Sequence, residues 1–162
     1  MLTGLQVTAD DKTRMFGLTN PVLTASYNGF TNSEGTNALN GSPAISTPAV
    51  PGSFVGDYPI NITPGTLSNA NYNFTFQGGT LTVTSAPAPA ILSVGLTNQV
   101  VTVVWSSIEG VPYGLQSTTN LFGGDWNTVS SNLTANGSIT SQTNVVGDVP
   151  WQFYRVTILQ GP

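Results

Sequence analysis

Side chains able to do chemistry are few in this sequence and far apart. Histidine and cysteine are both absent, which removes the serine triads, the thiol nucleophiles and the usual zinc sites. Seven carboxylates remain: Asp10, Asp11, Glu34, Asp57, Glu109, Asp125 and Asp148. Two carboxylates flanking a sugar linkage are enough to hydrolyse it, so glycoside hydrolysis is the one catalytic chemistry worth testing. These acids are scattered, however, and most fall in expected turns, where Asx side chains hydrogen-bond nearby backbone. The chain is expected to be no enzyme and to carry no cofactor.

Asp10 and Asp11 are the candidates for a cation site, because two carboxylates with neighbouring carbonyl oxygens supply part of what calcium needs. No spaced D-x-D-x-D loop or closing Glu accompanies them, and solvation of a loop beside Lys12 and Arg14 is the plainer reading. Lys12 is the only lysine. An intramolecular Lys–Asn isopeptide link needs a buried lysine, and the DDKTR context is too polar for that. Among the aromatics, Trp105 and Trp126 lie in strongly β contexts and are expected in the core, where large rings contribute most. Trp151, after Val149 and Pro150 at the start of a strand, is the candidate exposed aromatic for a sugar ligand.

Charge narrows the partners further. Only 6% of residues are charged and the formal net charge is -4, with Lys12, Arg14 and Arg155 as the cations. Phosphate recognition needs clustered Lys and Arg, so nucleic acid is excluded, as is a basic membrane-surface patch. No apolar run approaches the roughly 20 residues that span a bilayer, and the N-terminal MLTGLQVTADDK lacks the pattern of a signal peptide. Low charge with much Gly and Pro resembles disorder, but Val, Ile, Thr, Phe, Tyr and Trp are plentiful, and these residues suit a pleated surface.

The elements that would position these residues are strands. Neither half shows a sustained 3.6-residue apolar period, and Gly or Pro interrupts nearly every window. The run Ser85 to Ala90, SAPAPA, reads as a semi-rigid Pro-Ala linker, dividing a domain at 1–84 from one at 91–162. Strands are expected at 5–9, 22–30, 44–48, 56–63, 72–77 and 80–84, then at 91–96, 100–107, 112–118, 126–132, 137–145 and 151–159. Tyr72, Phe74 and Phe76 share one face, Leu81 and Val83 match them, and the glycine pair at 78–79 suggests a hairpin with a primed turn between them.

The order of these pieces carries a resemblance. LQVTADDKTRMFGLTNPVLTASYNGF followed by GDYPINITPGTLSNANYNFTFQGGTLTVT is similar to the MBG-type repeat, a mostly β, glycine-rich module of bacterial surface and adhesin-like proteins. The carrying residues are the DKTR segment through Gly17, Asn20-Pro21, the G-x-Y of Gly56 to Tyr58, and the closing Asn-Tyr segment. The stretch 32–51, with Pro43, Pro48 and Pro51, departs from the pattern and suggests a looser edge.

The second half, with Trp105, the Y-x-L-Q-S-T-x-N-L segment from Tyr113, Trp126 and Phe153-Tyr154-Arg155, resembles a fibronectin type III-like C-terminal module of secreted verrucomicrobial and planctomycete-type proteins. Together the resemblances imply an all-β chain of two tandem Ig- or fibronectin-like sandwiches. They also imply an extracellular, cell-surface location and a structural or adhesive role in a bacterial fibre; a carbohydrate-binding accessory module is the rival.

A seven-strand sandwich would have one more strand after FYRV, so the last strand is expected to leave an open edge that invites another chain. The expected association residues are Trp151, Phe153, Arg155, Thr157 and Leu159 on that edge, and Leu2, Leu5 and Val7 on a donated N-terminal strand. The expected partners are identical subunits or neighbouring domains, with a surface glycan as the other candidate.

Overall fold

The computed structural model describes residues 2–159. It is all-β apart from one 3-10 turn at Thr36–Ala38. The chain divides by contact into two units, Met1–Met15 with Thr19–Thr84, and Ser85–Pro162 with Phe16–Leu18.

Unit 1 contains two sheets. Strands β1 (Thr3–Ala9), β3 (Ala25–Asn28) and β6 (Tyr72–Gln77) form one, in the order β3-β1-β6. Strands β2 (Lys12–Met15), β7 (Gly79–Thr84), β5 (Gly56–Thr63) and β4 (Ala44–Ser46) form the other, in the order β2-β7-β5-β4. β1 runs parallel to β6, and β2 runs parallel to β7. Two chain segments therefore travel side by side through the first sheet and cross together into the second.

That crossing corrects the expected hairpin at Gly78-Gly79. β6 and β7 alternate as expected, with Tyr72 buried on one and Leu81 and Val83 on the other. They nevertheless lie in different sheets, and neither glycine has a positive φ. The glycines serve close approach instead. A Cβ on Gly78 would lie 2.9 Å from the Ile60 carbonyl oxygen, and one on Gly79 would collide with that of Ala9. Alternation reports which face is buried; it does not report the strand's neighbour.

Leu5, Val7 and Ala9 from β1, Ile60 from β5, Tyr72 from β6, and Leu81 and Val83 from β7 form the buried interior. The strand expected at 22–30 contracts to Ala25–Asn28, ending before Gly29, whose φ is 115°. β2 was not expected, because KTRM is short and half charged. Within the stretch 32–51 lie the 3-10 turn and the three-residue strand β4, which is an edge.

Unit 2 is a sandwich of two three-stranded sheets. Strands β12 (Ile139–Val145), β9 (Val100–Ser106) and β8 (Ile91–Thr97) form the first, in the order β12-β9-β8. Strands β11 (Asn127–Thr134), β10 (Pro112–Thr118) and β13 (Phe153–Ile158) form the second, in the order β11-β10-β13. All four pairings are antiparallel. β8 and β9 are joined through Asn98 and Gln99, both at positive φ (49° and 63°), as a two-residue type I′ hairpin requires.

Val101, Val103 and Trp105 from β9 meet Tyr113 and Leu115 from β10 in the core, with Tyr154, Val156 and Ile158 of β13 packed against them. The Trp105 and Tyr113 rings are 6.4 Å apart. The Trp105 indole N–H is buried with no hydrogen-bond partner among the described residues. Trp126 is half-buried rather than in the core: the Arg155 guanidinium sits 4.3 Å over its ring.

Candidate functional site

The acidic residues of unit 1 are occupied by the fold. Asp10 accepts hydrogen bonds from the hydroxyls of Thr24 and Ser26, joining β1 to the β3 segment. These bonds hold its carboxyl below the usual range. Asp11 accepts from the Thr80 backbone N–H at 2.7 Å, at the point where the chain crosses between sheets. Asp57 accepts from Thr82, and Glu34 from the Tyr72 hydroxyl at 2.6 Å. Asp10 and Asp11 thus face separate protein donors, and no group of three or more His, Cys, Asp or Glu able to hold a metal ion occurs among the described residues.

The same local sequence explains Arg14, which is 6% exposed. Its Nε donates to Asn20 Oδ1 at 2.6 Å, and its two Nη atoms donate to the carbonyls of Met15 and Val50. Asn20 in turn donates to the Ala49 carbonyl. Burial lowers the guanidinium pKa from its ordinary value, yet hydrogen bonds to carbonyls keep the group charged. The DKTR and Asn-Pro segments are therefore structural pins that fasten the loop at 49–50 to β2.

β1 cannot serve as the donated strand expected from the sequence. It is paired on both edges, and Leu5 and Val7 are fully buried inside unit 1. Leu2 is exposed but precedes the strand. Near it, Thr3, Thr31, Asn32, Glu34, Ala70 and Asn71 line an open polar hollow of about 490 Å³.

Unit 2 brings the remaining candidates together. β13 pairs only with β10 among the described residues. Leu159 donates its N–H to the Pro112 carbonyl at 2.9 Å. Backbone groups alternate along an antiparallel strand, so Phe153, Arg155 and Thr157 aim theirs at β10, while Tyr154, Val156 and Ile158 aim theirs at the open side. The sequence reading named the first set; the free edge belongs to the second. Side chains sort the same way: Arg155 bonds to Gln116 on the outer face at 2.7 Å, and Tyr154 accepts from Asn144 of β12 across the sandwich at 3.1 Å.

The open side has a second border that sequence reasoning missed. Every residue of β8 is exposed, including Ile91, Leu92, Val94 and Leu96 at 43%, 54%, 56% and 66%. Val94 and Leu96 stand opposite Val103 and Val101, so they share the inward face of that sheet. Among the described residues, Tyr154 of the second sheet and the segment 149–152 line the hollow they face, yet the side chains of Val94 and Leu96 stay more than half exposed. β8 overhangs β13, and a hollow of about 220 Å³ runs beneath it, lined in part by Val94, Leu96, Val101, Val149, Trp151 and Tyr154. None of its lining residues is charged. The only hint in the sequence is that ILSVGLT carries apolar residues at both odd and even positions.

Trp151 is 62% exposed, as expected. Its Nε1 donates to the Thr119 carbonyl at 3.1 Å, which fixes the indole beside Phe122 and Phe153 around a hollow of about 380 Å³. Phe122 is almost wholly exposed. The apolar surface thus continues from the underside of β8, through Val149 and Trp151, to Phe122.

No helix among the described residues is long and apolar enough to cross a membrane. No curated protein and no solved structure matches the chain at a significant level. Residues 5–82, which cover both sheets of unit 1, match the family model of the MBG domain (YGX type), so this part of the chain is similar to a β-domain of bacterial surface proteins.

Proposed function

We propose that the chain is a noncatalytic structural or adhesive segment of a bacterial surface fibre or adhesin, and that it associates through the open side of unit 2. One observation carries the association: β13, which pairs only with β10 among the described residues, shares an apolar hollow with the exposed strand β8. Natural sheets protect such edges with charge, proline or covering loops, and β8 has neither charge nor proline. The MBG match over residues 5–82 supports a surface role. The antiparallel strand orders β12-β9-β8 and β11-β10-β13 are compatible with a fibronectin-like sandwich, which supports reading unit 2 as such a module.

Protease treatment and surface labelling of intact producing cells test the location. The expected result is that the protein is digested and labelled while the cells remain sealed. Protection from both would overturn the surface role.

A second reading, a carbohydrate-binding accessory module, is favoured by the fixed indole of Trp151 beside Phe122 and Phe153. A glycan array with the intact protein and with Trp151→Ala separates the two. Binding lost in the variant would favour the sugar module, and a blank array at millimolar ligand would favour the structural segment.

A further inference from the structure

We propose that the open side of unit 2 is a lap joint that closes on the same side of a second copy of this chain, each copy seating its β8 against the β13 edge of the other. The proposal deepens the association reading above but does not depend on where the protein resides.

The geometry is self-complementary. In one sheet every residue of β8 is exposed; in the other, no strand among the described residues pairs with the far edge of β13. A half-turn about an axis parallel to the strands exchanges the two layers and the two sides. It therefore brings β8 of one copy beside the far edge of β13 of the other. The two strands match in length, seven residues against six.

The strand directions agree as well. The connection from β9 to β10 is five residues, 107–111, too short for anything but a reversal between aligned sheets. β8 and β10 are each antiparallel to a strand that reversal relates, so they run the same way, and β13 runs against both. The half-turn preserves strand direction, so β8 of the second copy meets β13 antiparallel.

Backbone and side chains are then satisfied together. Thr97 and Val100 flank the two-residue hairpin and pair with each other. By alternation Gly95 also points to β9, while Val94 and Leu96 aim their backbone groups outward. Those groups meet the free groups of Tyr154, Val156 and Ile158. The side chains of Val94 and Leu96, now half exposed, come to lie across from the same residues of the second copy, forming a dry inner layer. No charged side chain lies on β8 or lines the hollow beneath it, so two copies meet without repulsion and a charged partner finds nothing to pair with.

Sedimentation of the full chain over a concentration series, with amide exchange on the same samples, tests this. The expected result is a monomer–dimer equilibrium with no larger species. Amides of Val94, Leu96, Tyr154, Val156 and Ile158 should be protected in the dimer and should exchange faster on dilution. The double substitution Val94→Lys and Leu96→Lys should weaken association about a hundredfold or more, because like charges are forced together across the joint. Both sites are more than half exposed in the single chain, so the variant should fold, and unchanged burial of Trp105 by fluorescence confirms that it does. A monomer at high concentration, a dimer indifferent to the lysines, or open-ended filaments would each overturn the closed joint. A monomer that is still labelled on intact cells would leave the surface role standing.

Discussion

The two units treat the edges of their sheets in opposite ways. Three of the four edge strands of unit 1 are short, with four residues in β3 and in β2 and three in β4, while the fourth, β6, has six. The unit's side chains also fasten loops, with Arg14 holding the Val50 carbonyl, Asn20 that of Ala49, and Tyr72 bridging Thr31 and Glu34. Unit 2 ends on strands of six to eight residues, and its exposed large hydrophobics include β8, Leu121, Phe122, Trp151 and Phe153. Short, polar-pinned edges resist pairing with other chains. The contrast teaches that unit 1 shortens three of its four edges, whereas every edge strand of unit 2 has six residues or more.

The comparison is sharpened most by changes to the cores, where both units should respond alike. Leu5 and Leu115 are fully buried, one in each unit. Replacing either with alanine should cost about 2–5 kcal/mol, the transfer term plus the cavity left behind. Amide exchange at β1 and β6 reports the first change, and exchange at β9 and β10 the second. A loss below about 1 kcal/mol at Leu5 would show that unit 1 is loosely packed and that its pins matter more than its core.

Removing a pin should separate the units. Arg14→Met leaves Asn20 and two carbonyls without their donor inside unit 1, at a cost of about 1–3 kcal/mol. Arg14→Lys should recover little, since a single ammonium cannot reach three acceptors in different directions. Arg155 in unit 2, exposed over Trp126, should lose about 0.5–1 kcal/mol on replacement by alanine. Denaturant midpoints measured with each variant check the order, and equal losses would erase the distinction between pinned and open units.

Glycines give a contrast of smaller size. Gly79→Ala places a methyl against the Ala9 carbonyl, where the obstacle is backbone and cannot move aside; a cost of about 1–3 kcal/mol is expected. Gly95 of β8 has open space around its would-be Cβ and no positive φ. Gly95→Ala should be neutral or stabilise by about 0.4–1 kcal/mol through the unfolded chain. Thermal midpoints of the two variants should therefore move in different directions.

These positions also show what was legible in advance. Alternation locates β5 and β6 to the residue and identifies the shared face of Leu81 and Val83, because burial on one side of a strand writes a period of two into the sequence. Pairing is a property of distant segments and leaves no such trace, so the sequence suggests a hairpin of β6 with β7 at Gly78-Gly79 where β6 in fact pairs with β1. β2 was hidden by its own charge, since Arg14 is buried through hydrogen bonds that no local pattern announces. At the surface proposed for association, counting strands points to an edge near Trp151 to Leu159, and β13 pairs only with β10 among the described residues. The count does not assign which residues of β13 face outward, because that depends on register with β10. Nor does it show that the strand expected at 91–96, β8, is exposed along its whole length.

The smallest expected effect concerns Asp10 and acid. Its folded pKa is lowered from 3.8, chiefly by the Ser26 hydroxyl and then by that of Thr24. A carboxylate with a depressed folded pKa contributes stability that is fully present above its unfolded value and is lost as pH falls through the folded one. The contribution therefore disappears only below about pH 3.8, and the group is solvent-facing, so its size is small. Asp10→Asn should leave stability near neutral pH almost unchanged and flatten its fall in acid. Unfolding midpoints from pH 7 down to pH 2, compared with those of the parent chain, measure this directly. A large loss at pH 7 would mean that the bonds from β3 to Asp10 hold the edge of unit 1 in place, making that edge less self-sufficient than the contrast with unit 2 requires.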